Sequence, residues 1–416
     1  MNAILVTAAV FVLTYALISM GNITKIKIDR GLAAAAGGLL VILFGVVPLA
    51  DVPDLLNLDV IFLLLGMMML TAGLEFSGFF RIVSDHLVKR SGSKVKLLAY
   101  IMAICAVLSA IALNDAVVLI FAPIVIRCCR SAGCNPIPYL IGVMFSANIG
   151  SLATAVGNPQ NAYIASKAGI SFIDFAAHTI PISLVCMPVA FLFIFLIFRK
   201  SLASDASSAP RDDQMAVDRV RLRAVLAVTI GAFVGFALSS AIGVQIHIIA
   251  MIAGVLALAV VMTKSPKNIL WVAKKVDWRI LVFFIGLFVL MGAVDVSGLL
   301  DQIAALFPGF GAGETPSVLG LTAFSAVLSN LVSNVPAVML IGNMLPEGSV
   351  MLWIALAASS TLAGNATLIG SAANVIVSER SDDEGIHFNF WKFALIGVPV
   401  SIVTLLISAG ILTLIL

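Results

Sequence analysis

The chain has 416 residues, of which 61% are hydrophobic and only 11% are charged. Soluble domains carry about 25% charged residues, so this composition excludes a soluble enzyme. Apolar stretches recur along the whole sequence, and each is long enough, at about 20 residues, to cross a bilayer as a helix. The composition therefore predicts an all-α polytopic membrane protein.

The polar segments carry no signature of ATP hydrolysis, catalysis or metal binding. The sequence holds no GxxxxGK[ST] loop and no HExxH pair, the motifs that cradle phosphates and bind zinc. Its five cysteines lie in or beside apolar segments and are interpreted as ordinary buried thiols. We expect no enzyme activity, no catalytic residue, no metal site and no cofactor. The formal charge of +3 reports membrane orientation first, so no nucleic-acid partner is expected.

Hydropathy predicts eight uninterrupted spans, and the basic residues orient them. The spans lie at 3–20, 31–50, 58–77, 179–198, 222–242, 246–263, 279–296 and 388–414. Lys and Arg accumulate in cytoplasmic loops, so the loop with Lys25, Lys27 and Arg30 is inside and the acidic loop 51–59 is outside. Continuing this pattern predicts a multi-pass protein of the inner (plasma) membrane with both termini external.

Two further segments are too short for two crossings, yet each begins and ends on one side. Segment 95–130 has basic flanks and a single polar pair, Asn114-Asp115, whereas 315–346 has acidic flanks and a polar apex at Ser333-Asn334. Each is predicted to enter the membrane and turn back, the first from inside and the second from outside. Irregular backbone at membrane depth needs protein or a wet cavity around it, so the two tips predict a binding site.

Three sequence matches recur in the same order in the two halves. LDVIFLLLGMMMLTAGLEFSG matches VDWRILVFFIGLFVLMGAVDVSG, ALNDAVVLIFAP matches LVSNVPAVMLIG, and TAVGNPQN matches TLIGSAAN. The charge rule gives the matched spans opposite directions, so we predict inverted-topology repeats, which are typical of secondary transporters. Chance similarity among apolar helices is the alternative.

Each predicted repeat has five spans, one of them broken, and one re-entrant hairpin. The boundaries are 1–200 for the first repeat (scaffold spans 1–77, hairpin 95–130, broken helix 135–168, last span 172–198), 201–221 for a cytoplasmic linker, and 222–416 for the second repeat (scaffold spans 222–296, hairpin 315–346, broken helix 350–378, last span 388–414).

The broken helices carry Gly/Asn/Thr-rich stretches, SANIGSLATAVGNPQN and STLAGNATLIGSAAN. Gly permits unusual backbone angles and Pro159 blocks helix continuation, so each helix should break and present dipole ends to ions. The candidate substrate or ion ligands are the polar and Gly residues of tips and breaks: Asn114, Asp115, Asn148, Thr154, Gly157, Asn158, Asn161, Ser333, Asn334, Asn365, Thr367, Gly370, Ser371 and Asn374.

Asp115 is the one acidic residue predicted at the bilayer centre, where a carboxylate is costly and usually functional. We favour a coupling role with H⁺ or Na⁺ over pure capping of the returning helix. No Lys or Arg falls in the predicted core, so a small monoanion or uncharged oxyacid is an easier cargo than a dianion.

The segments LNDAVVLIFAP, GNPQN and VSNVPAVML, with the second broken helix, resemble the ion transporter superfamily, nearest its arsenite-permease and NhaD-type antiporter branch. The architecture is also similar to the divalent anion:sodium symporters. The resemblance implies a transport domain of hairpins and broken helices that moves by an elevator motion, usually in a homodimer. It implies one H⁺ or Na⁺ site at Asn114-Asp115 with 157–161, and another at Ser333-Asn334 with 367–374.

The tips depart from the symporter pattern of Ser-Asn-Thr, since they read Asn-Asp-Ala and Ser-Asn-Val. This difference weighs against sodium-coupled dicarboxylate uptake. The sequence therefore predicts an ion-coupled secondary active transporter of a small inorganic anion or neutral oxyacid such as arsenite or antimonite, exchanged for protons across the lipid bilayer. Two alternatives stay open: a Na⁺/H⁺ antiporter of the NhaD type, and an anion channel, which would share the re-entrant segments.

Overall fold

The computed structural model describes residues 3–20, 29–90, 93–203, 218–263, 265–305, 307, 309, 315–346 and 348–415. In chain order the helices are α1 (Ala3–Met20), α2 (Arg30–Leu43), α3 (Val52–Leu55), α4 (Leu58–Phe76), α5 (Phe79–Arg90), α6 (Lys94–Ile111), α7 (Asn114–Ser131), α8 (Ile137–Ser151), α9 (Pro159–Lys167), α10 (Phe172–Leu202), α11 (Arg219–Ile242), α12 (Ile246–Met262), α13 (Asn268–Lys275), α14 (Trp278–Val296), α15 (Leu299–Ala304), α16 (Val318–Val332), α17 (Asn334–Gly342), α18 (Val350–Ala363), α19 (Ala372–Asp382) and α20 (Phe390–Ile415).

The described chain is an all-helical polytopic membrane protein, as its composition predicts. Within the ranges given above, six helices are long and apolar enough to cross a membrane: α4, α6, α10, α11, α14 and α20. Shorter apolar helices accompany them, among them α1, α2, α8, α12, α16 and α18. Helix α6, the first arm of the predicted re-entrant hairpin 95–130, is itself long enough to cross a membrane. Helix length alone therefore does not distinguish a re-entrant hairpin from two crossings in this segment.

Two features of the predicted topology differ from the structure or fall outside it. The predicted span 31–50 is helical only to Leu43, because Gly45 adopts a φ of +71° and Pro48 follows it. Lys25 and Lys27, on which the inner position of the first loop depends, lie outside the described residues, as does 204–217 of the predicted linker.

Helices α1, α2, α4, α11, α12 and α14 pack together into what we call the scaffold bundle. Its two closest crossings, α4 on α12 and α2 on α14, are built on glycine. A Cβ at Gly66 would lie 2.4 Å from the Ala250 carbonyl, and one at Gly286 would lie 2.3 Å from the Ala34 carbonyl carbon. Small residues of this kind let membrane helices approach backbone to backbone.

Gly286→Ala is expected to destabilise the scaffold bundle, because the added methyl would occupy space held by the α2 backbone. Overpacking of this kind costs about 1–3 kcal/mol, which should lower the melting temperature of the purified protein. Gly231→Ala is the matched control, since a Cβ there meets nothing within 4 Å. Equal melting temperatures for the two variants would contradict the close crossing.

The remaining long helices form a second group, the loop bundle, made of α6 to α10 and α16 to α20. Within it α6 packs on α8, α16 on α18, and α10 on α20. Helices α7 and α17 each pack on a short helix from the other half of the chain, α19 and α9 respectively. The loop bundle therefore brings both predicted tips and both predicted breaks together.

Candidate functional site

Two apolar helices of the loop bundle are interrupted by irregular segments, which we call break loop 1 (152–158, between α8 and α9) and break loop 2 (364–371, between α18 and α19). Each following helix begins with a side-chain cap. Asn158 Oδ1 accepts a 2.8 Å bond from the Asn161 amide, and Ser371 Oγ accepts a 3.2 Å bond from the Asn374 amide. Both irregular segments lie within the Gly/Asn/Thr-rich stretches of the sequence, and Pro159 stands at the start of α9.

Asn161 and Asn374 hold the two break loops in the same way. Asn161 Nδ2 donates to the carbonyls of Ser151 and Thr154, both at 3.1 Å. Asn374 Nδ2 makes the equivalent bonds, 2.7 and 2.9 Å long, to two carbonyls of break loop 2. Both side chains are fully buried, so they satisfy carbonyls that the interrupted helices leave without partners.

Asn148, on α8, joins the two halves of the site. Its Nδ2 lies 2.9 Å from Asn365 Oδ1, 3.1 Å from Ser371 Oγ and 3.2 Å from Asn374 Oδ1. An amide nitrogen has two hydrogens, so these acceptors share them. The junction of α8 with break loop 2 and α19 is therefore built from uncharged groups.

The first tip is docked onto break loop 1 through the backbone. The Asn114 N–H donates to the Gly157 carbonyl at 2.9 Å, and Asn114 itself is buried. A Cβ at Gly157 would lie 2.3 Å from the Ser151 carbonyl oxygen and 2.9 Å from that of Ser109. Only glycine fits here, because backbone from three segments converges on it.

Two buried oxygens beside this junction lack partners. Within the described residues, Asn161 Oδ1 and Ser109 Oγ accept or donate no hydrogen bond, although both side chains are fully buried. Leaving a buried polar atom without a partner costs about 1–3 kcal/mol. Oxygens of this kind are the ligands that hard cations prefer.

The second tip is strained and makes side-chain contacts with the breaks. Ser333 has a φ of +80° and is the one non-glycine residue with positive φ in the described ranges. Such backbone costs about 1–3 kcal/mol and clusters at functional sites. In the orientation that satisfies its amide, Asn334 donates to Gly370 O at 2.9 Å and Ser360 O at 3.1 Å, and accepts from Gln160 Nε2 at 3.3 Å.

The structure adds three site residues that the sequence analysis did not select. Asn330 Oδ1 accepts a 3.0 Å bond from Thr367, and its Nδ2 donates to the Ala363 carbonyl at 2.9 Å. Thr361 lies 3.4 Å from Gln160 Nε2. Gln160 lies inside the GNPQN motif, and Asn330 lies three residues before Ser333 at the second tip. Their closeness to these two motifs is the sequence feature that could have identified them as site residues.

Aligning the first residues of α7 and α17 pairs the residues of the two tips differently from the sequence match. Because α7 begins at Asn114 and α17 at Asn334, Asn114 corresponds to Asn334 and Asp115 to Val335. The sequence match paired Asp115 with Asn334, one residue away. A carboxylate therefore follows the first tip, whereas a valine occupies the equivalent position of the second.

Asp115 is half-buried in the first turn of α7. Its backbone N–H donates to Asn114 Oδ1 at 2.9 Å, and within the described residues its carboxylate makes no hydrogen bond or ion pair.

A cavity of about 540 Å³ separates the two bundles beside α9, α14 and α17. Its lining includes Asn57, Asp59, Tyr163, Lys167 and Asp295. The described lining contains none of the predicted site residues. Asn57 Nδ2 and Ser166 Oγ lie 3.2 Å apart at its wall, which links the scaffold bundle to α9.

Comparison with known protein families identifies the family to which this chain belongs. Residues 15–349 match the family model described as CitMHS, citrate transporter. The chain belongs to the CitMHS citrate transporter family. The resemblance to the ion transporter superfamily is thereby confirmed, and this CitMHS member is a secondary transporter and not an enzyme.

Full-length relatives of this CitMHS chain carry several names. It is 31% identical to the "46 kDa membrane protein" of Mycobacterium leprae, over 98% of this chain and 97% of that protein. It is 27% identical to the silicon efflux transporter LSI3 of Oryza sativa subsp. japonica (92% of each chain) and 26% identical to the putative transporter arsB of Dictyostelium discoideum (98% and 92%).

A solved structure shares the fold. The crystal structure of the Alcanivorax borkumensis YdaH transporter, described as having an unusual topology, matches 99% of this CitMHS chain and 98% of its own, with a TM-score of 0.57 and 17% identity. At this identity the match establishes the fold alone.

Proposed function

We propose that this CitMHS-family protein is an ion-coupled transporter of a small inorganic anion or neutral oxyacid of the arsenite or antimonite type, exchanged for protons. The observation that carries the proposal is the junction made by Asn148. The Asn148 amide on α8 meets amide and hydroxyl groups of break loop 2 and α19 there, and the one carboxylate in the two tips is that of Asp115. A neutral, hydrogen-bonding site suits an uncharged oxyacid, and a single carboxylate suits one coupling cation.

The packing supports two inverted repeats, residues 1–200 and 222–416, joined by the linker 201–221. The scaffold crossings pair α4 with α12 and α14 with α2, which is the exchange that a two-fold axis relating the halves would produce. The matched bonds of Asn161 and Asn374 follow the same relation. In this arrangement α6–α7 and α16–α17 are re-entrant hairpins that enter from opposite sides, and substrate binds between them.

The division into two bundles supports an elevator motion. The loop bundle contains every proposed ligand, so we propose that it carries substrate and ion past the scaffold bundle. One buried contact between them is Tyr15 Oη, 3.4 Å from the Pro336 carbonyl beside the second tip. In the proposed topology both termini are external. The homodimer is proposed from the resemblance to the ion transporter superfamily.

The nature of the cargo is the finer part of the proposal. The family description names citrate, and two relatives are named for silicon and for arsB. Citrate carries several negative charges, whereas the proposed ligand side chains include no cation. Silicic and arsenous acids are uncharged near neutral pH and match amide and hydroxyl ligands.

A thermal-shift screen tests the cargo, since a ligand that binds the folded state raises its melting temperature. We would compare arsenite, antimonite, silicate, phosphate, citrate, dicarboxylates, Na⁺ and Li⁺ at two pH values. Stabilisation by arsenite, antimonite or silicate is the expected result. Stabilisation by citrate alone would overturn the oxyacid proposal.

A Na⁺/H⁺ antiporter is the second candidate, and the partnerless Asn161 Oδ1 and Ser109 Oγ favour it. In that case Asp115 and these oxygens would bind Na⁺ and H⁺ alternately as cargo. A sodium gradient that moves protons in proteoliposomes without any oxyacid would identify the antiporter. An anion channel is distinguished by flux that never runs uphill.

Asn334→Ala and Asn161→Ala are each expected to raise the concentration of substrate or ion needed for half-maximal transport. Asn334 bridges Gly370, Ser360 and Gln160, and Asn161 holds break loop 1. Losing one such bond costs about 1 kcal/mol, so a change of about fivefold or more should be measurable in initial rates. Asn135→Ala, at an exposed turn, is the control. Unchanged kinetics for both variants would remove them from the site.

A further inference from the structure

The cavity of about 540 Å³ between the two bundles lies at the far ends of two helices that begin at the proposed binding site. Helix α9 begins at Pro159, beside break loop 1, and ends at Lys167 in the cavity lining. Helix α17 begins at Asn334 and is followed by Asn343, which also lines the cavity. Each helix has nine residues and is therefore about 13 Å long. In the proposed topology this cavity opens to the outer side, and we call it the outer cavity.

The lining of the outer cavity carries more negative than positive charge. Its described charged residues are three carboxylates, Asp54, Asp59 and Asp295, and one amine, Lys167. An adjoining cavity of about 420 Å³ shares Lys167, Asp295 and Asn343 with it and adds no other charged residue to the described lining. A solute that enters either cavity therefore passes Asp295.

Helix stability accounts for Asp59 and Lys167 but not for Asp295. Asp59 lies in the first turn of α4 and Lys167 in the last turn of α9, where each charge complements the helix dipole. Asp59 Oδ1 also lies 3.4 Å from His247 Nδ1. Asp295 instead lies one residue before the end of α14, where the dipole disfavours a negative charge. It is exposed, and within the described residues its carboxylate makes no hydrogen bond or ion pair.

The carboxylate that the sequence match pairs with Asp295 binds a cationic group. Helices α4 and α14 both have 19 residues, and Glu75 stands one residue before the end of α4. Glu75 Oε1 accepts a 2.5 Å bond from Nζ of Lys275, three residues before the start of α14. The position three residues before α4 is Leu55, which packs so closely on α14 that a Cβ at Gly292 would lie 2.5 Å from its side chain. The same packing therefore recurs at Asp295 without the ammonium group.

The distribution of basic residues explains only half of this difference. Lys274 and Lys275 before α14 are matched by Asp54 and Leu55 before α4. Basic residues favour inner loops, which explains the loss of the two lysines on the outer side. It does not explain why a carboxylate is kept at Asp295 and another is added at Asp54. Cations from solution can neutralise these two groups where no lysine does.

We propose that the outer cavity is a cation-selective vestibule, in which Asp295, with Asp54 and Asp59, concentrates small inorganic cations and repels multiply charged anions. The inference rests on the proposed function only in taking the concentrated cation to be the coupling ion. A cleft lined by charges of one sign raises the local concentration of counter-ions about 10- to 1000-fold. A neutral oxyacid enters such a vestibule freely, whereas an anion with several charges, such as citrate, is depleted from it.

The test measures the electrostatic potential of the outer cavity by chemical labelling of the purified full-length protein. Asn343→Cys places a thiol in the lining of both cavities, and the five native cysteines are buried. Two methanethiosulfonate reagents would be compared, one with a trimethylammonium group and one with a sulfonate group. Mass spectrometry gives each labelling rate, which is divided by the rate for a small thiol in solution. We expect this normalised rate to be about tenfold or more higher for the cationic reagent at low ionic strength, with the preference decreasing as salt is added.

Two substitutions combined with Asn343→Cys should shift the preference in opposite directions. Asp295→Asn is expected to lower the cation-to-anion ratio of normalised rates about fivefold, and Lys167→Gln to raise it by a similar factor. A loss of structure would not produce opposite shifts. Asp383→Asn is the matched control, because it removes an exposed carboxylate that pairs with Arg380 and lies outside both described linings.

The proposal is overturned if the normalised ratio is near one, or if Asp295→Asn changes it no more than Asp383→Asn does. A fall of the ratio in Lys167→Gln overturns it as well, and so does the absence of labelling by either reagent, which would mean that the cavity is closed. If Asn343→Cys does not fold, Ser166→Cys in the same lining replaces it, with the same expected results. Labelling needs neither cargo nor gradient, so failure of the vestibule and failure of the proposed oxyacid exchange are separate outcomes.

Discussion

Asp115→Asn is expected to reduce coupled exchange to the level of protein-free liposomes while leaving the fold intact. The substitution keeps the size and shape of the side chain but removes the group that binds H⁺ or Na⁺. It should cost little stability, because no described side chain hydrogen-bonds or ion-pairs with this carboxylate. We would measure substrate exchange and the accompanying pH change in proteoliposomes, together with the melting temperature.

Asp301→Asn is the control for Asp115→Asn, since Asp301 is an exposed carboxylate in the first turn of another helix, α15. It should transport normally. Near-normal coupled exchange in Asp115→Asn would mean that Asp115 does no more than stabilise the start of α7, and the proposed coupling mechanism would fail.

Asn148→Ala is expected to cause the second large loss, because it removes the donor that joins α8 to break loop 2 and α19. Three buried acceptors, on Asn365, Ser371 and Asn374, would lose a bond from Asn148. Each buried group left unsatisfied costs about 1–3 kcal/mol, so we expect a melting temperature lower by several degrees and transport reduced to a small fraction of the original rate.

Ser146→Ala is the matched control on the same helix. Ser146 is fully buried, but its hydroxyl bonds within α8, to the Gly142 carbonyl at 2.6 Å. Its loss should leave the junction and the transport rate nearly unchanged. If both variants transported equally well, the Asn148 junction would have no part in the site.

The sequence predicted the helical membrane architecture and the positions of the breaks because those features have strong local causes. Apolar stretches specify helices in a bilayer. Pro159 after Asn158, and Ser371 before Ala372, supply a helix-starting proline and a side-chain cap. These signals depend only on neighbouring residues, so they can be recognised without knowledge of the tertiary structure.

The contacts of the site depended on tertiary packing and could not be predicted. Asn330 and Thr361 lie among other polar residues of largely apolar helices, and only the approach of α16 to α18 brings them to the breaks. The bonds of Asn148 to Asn365, Ser371 and Asn374 likewise join residues more than 200 positions apart, so only the packing of the two halves reveals them. The sequence match paired Asp115 with Asn334 because it aligned polarity, whereas the helix starts pair Asn114 with Asn334.

Uphill transport in proteoliposomes tests the central claim, that a site shared by both halves couples oxyacid movement to a cation gradient. Protein would be reconstituted with arsenite or silicate at equal concentrations on both sides, and a pH or Na⁺ gradient would then be imposed. We predict that the oxyacid accumulates on one side and that the accumulation collapses when an ionophore dissipates the gradient. Flux that only ever runs down the oxyacid gradient, whatever the cation gradient, would contradict it.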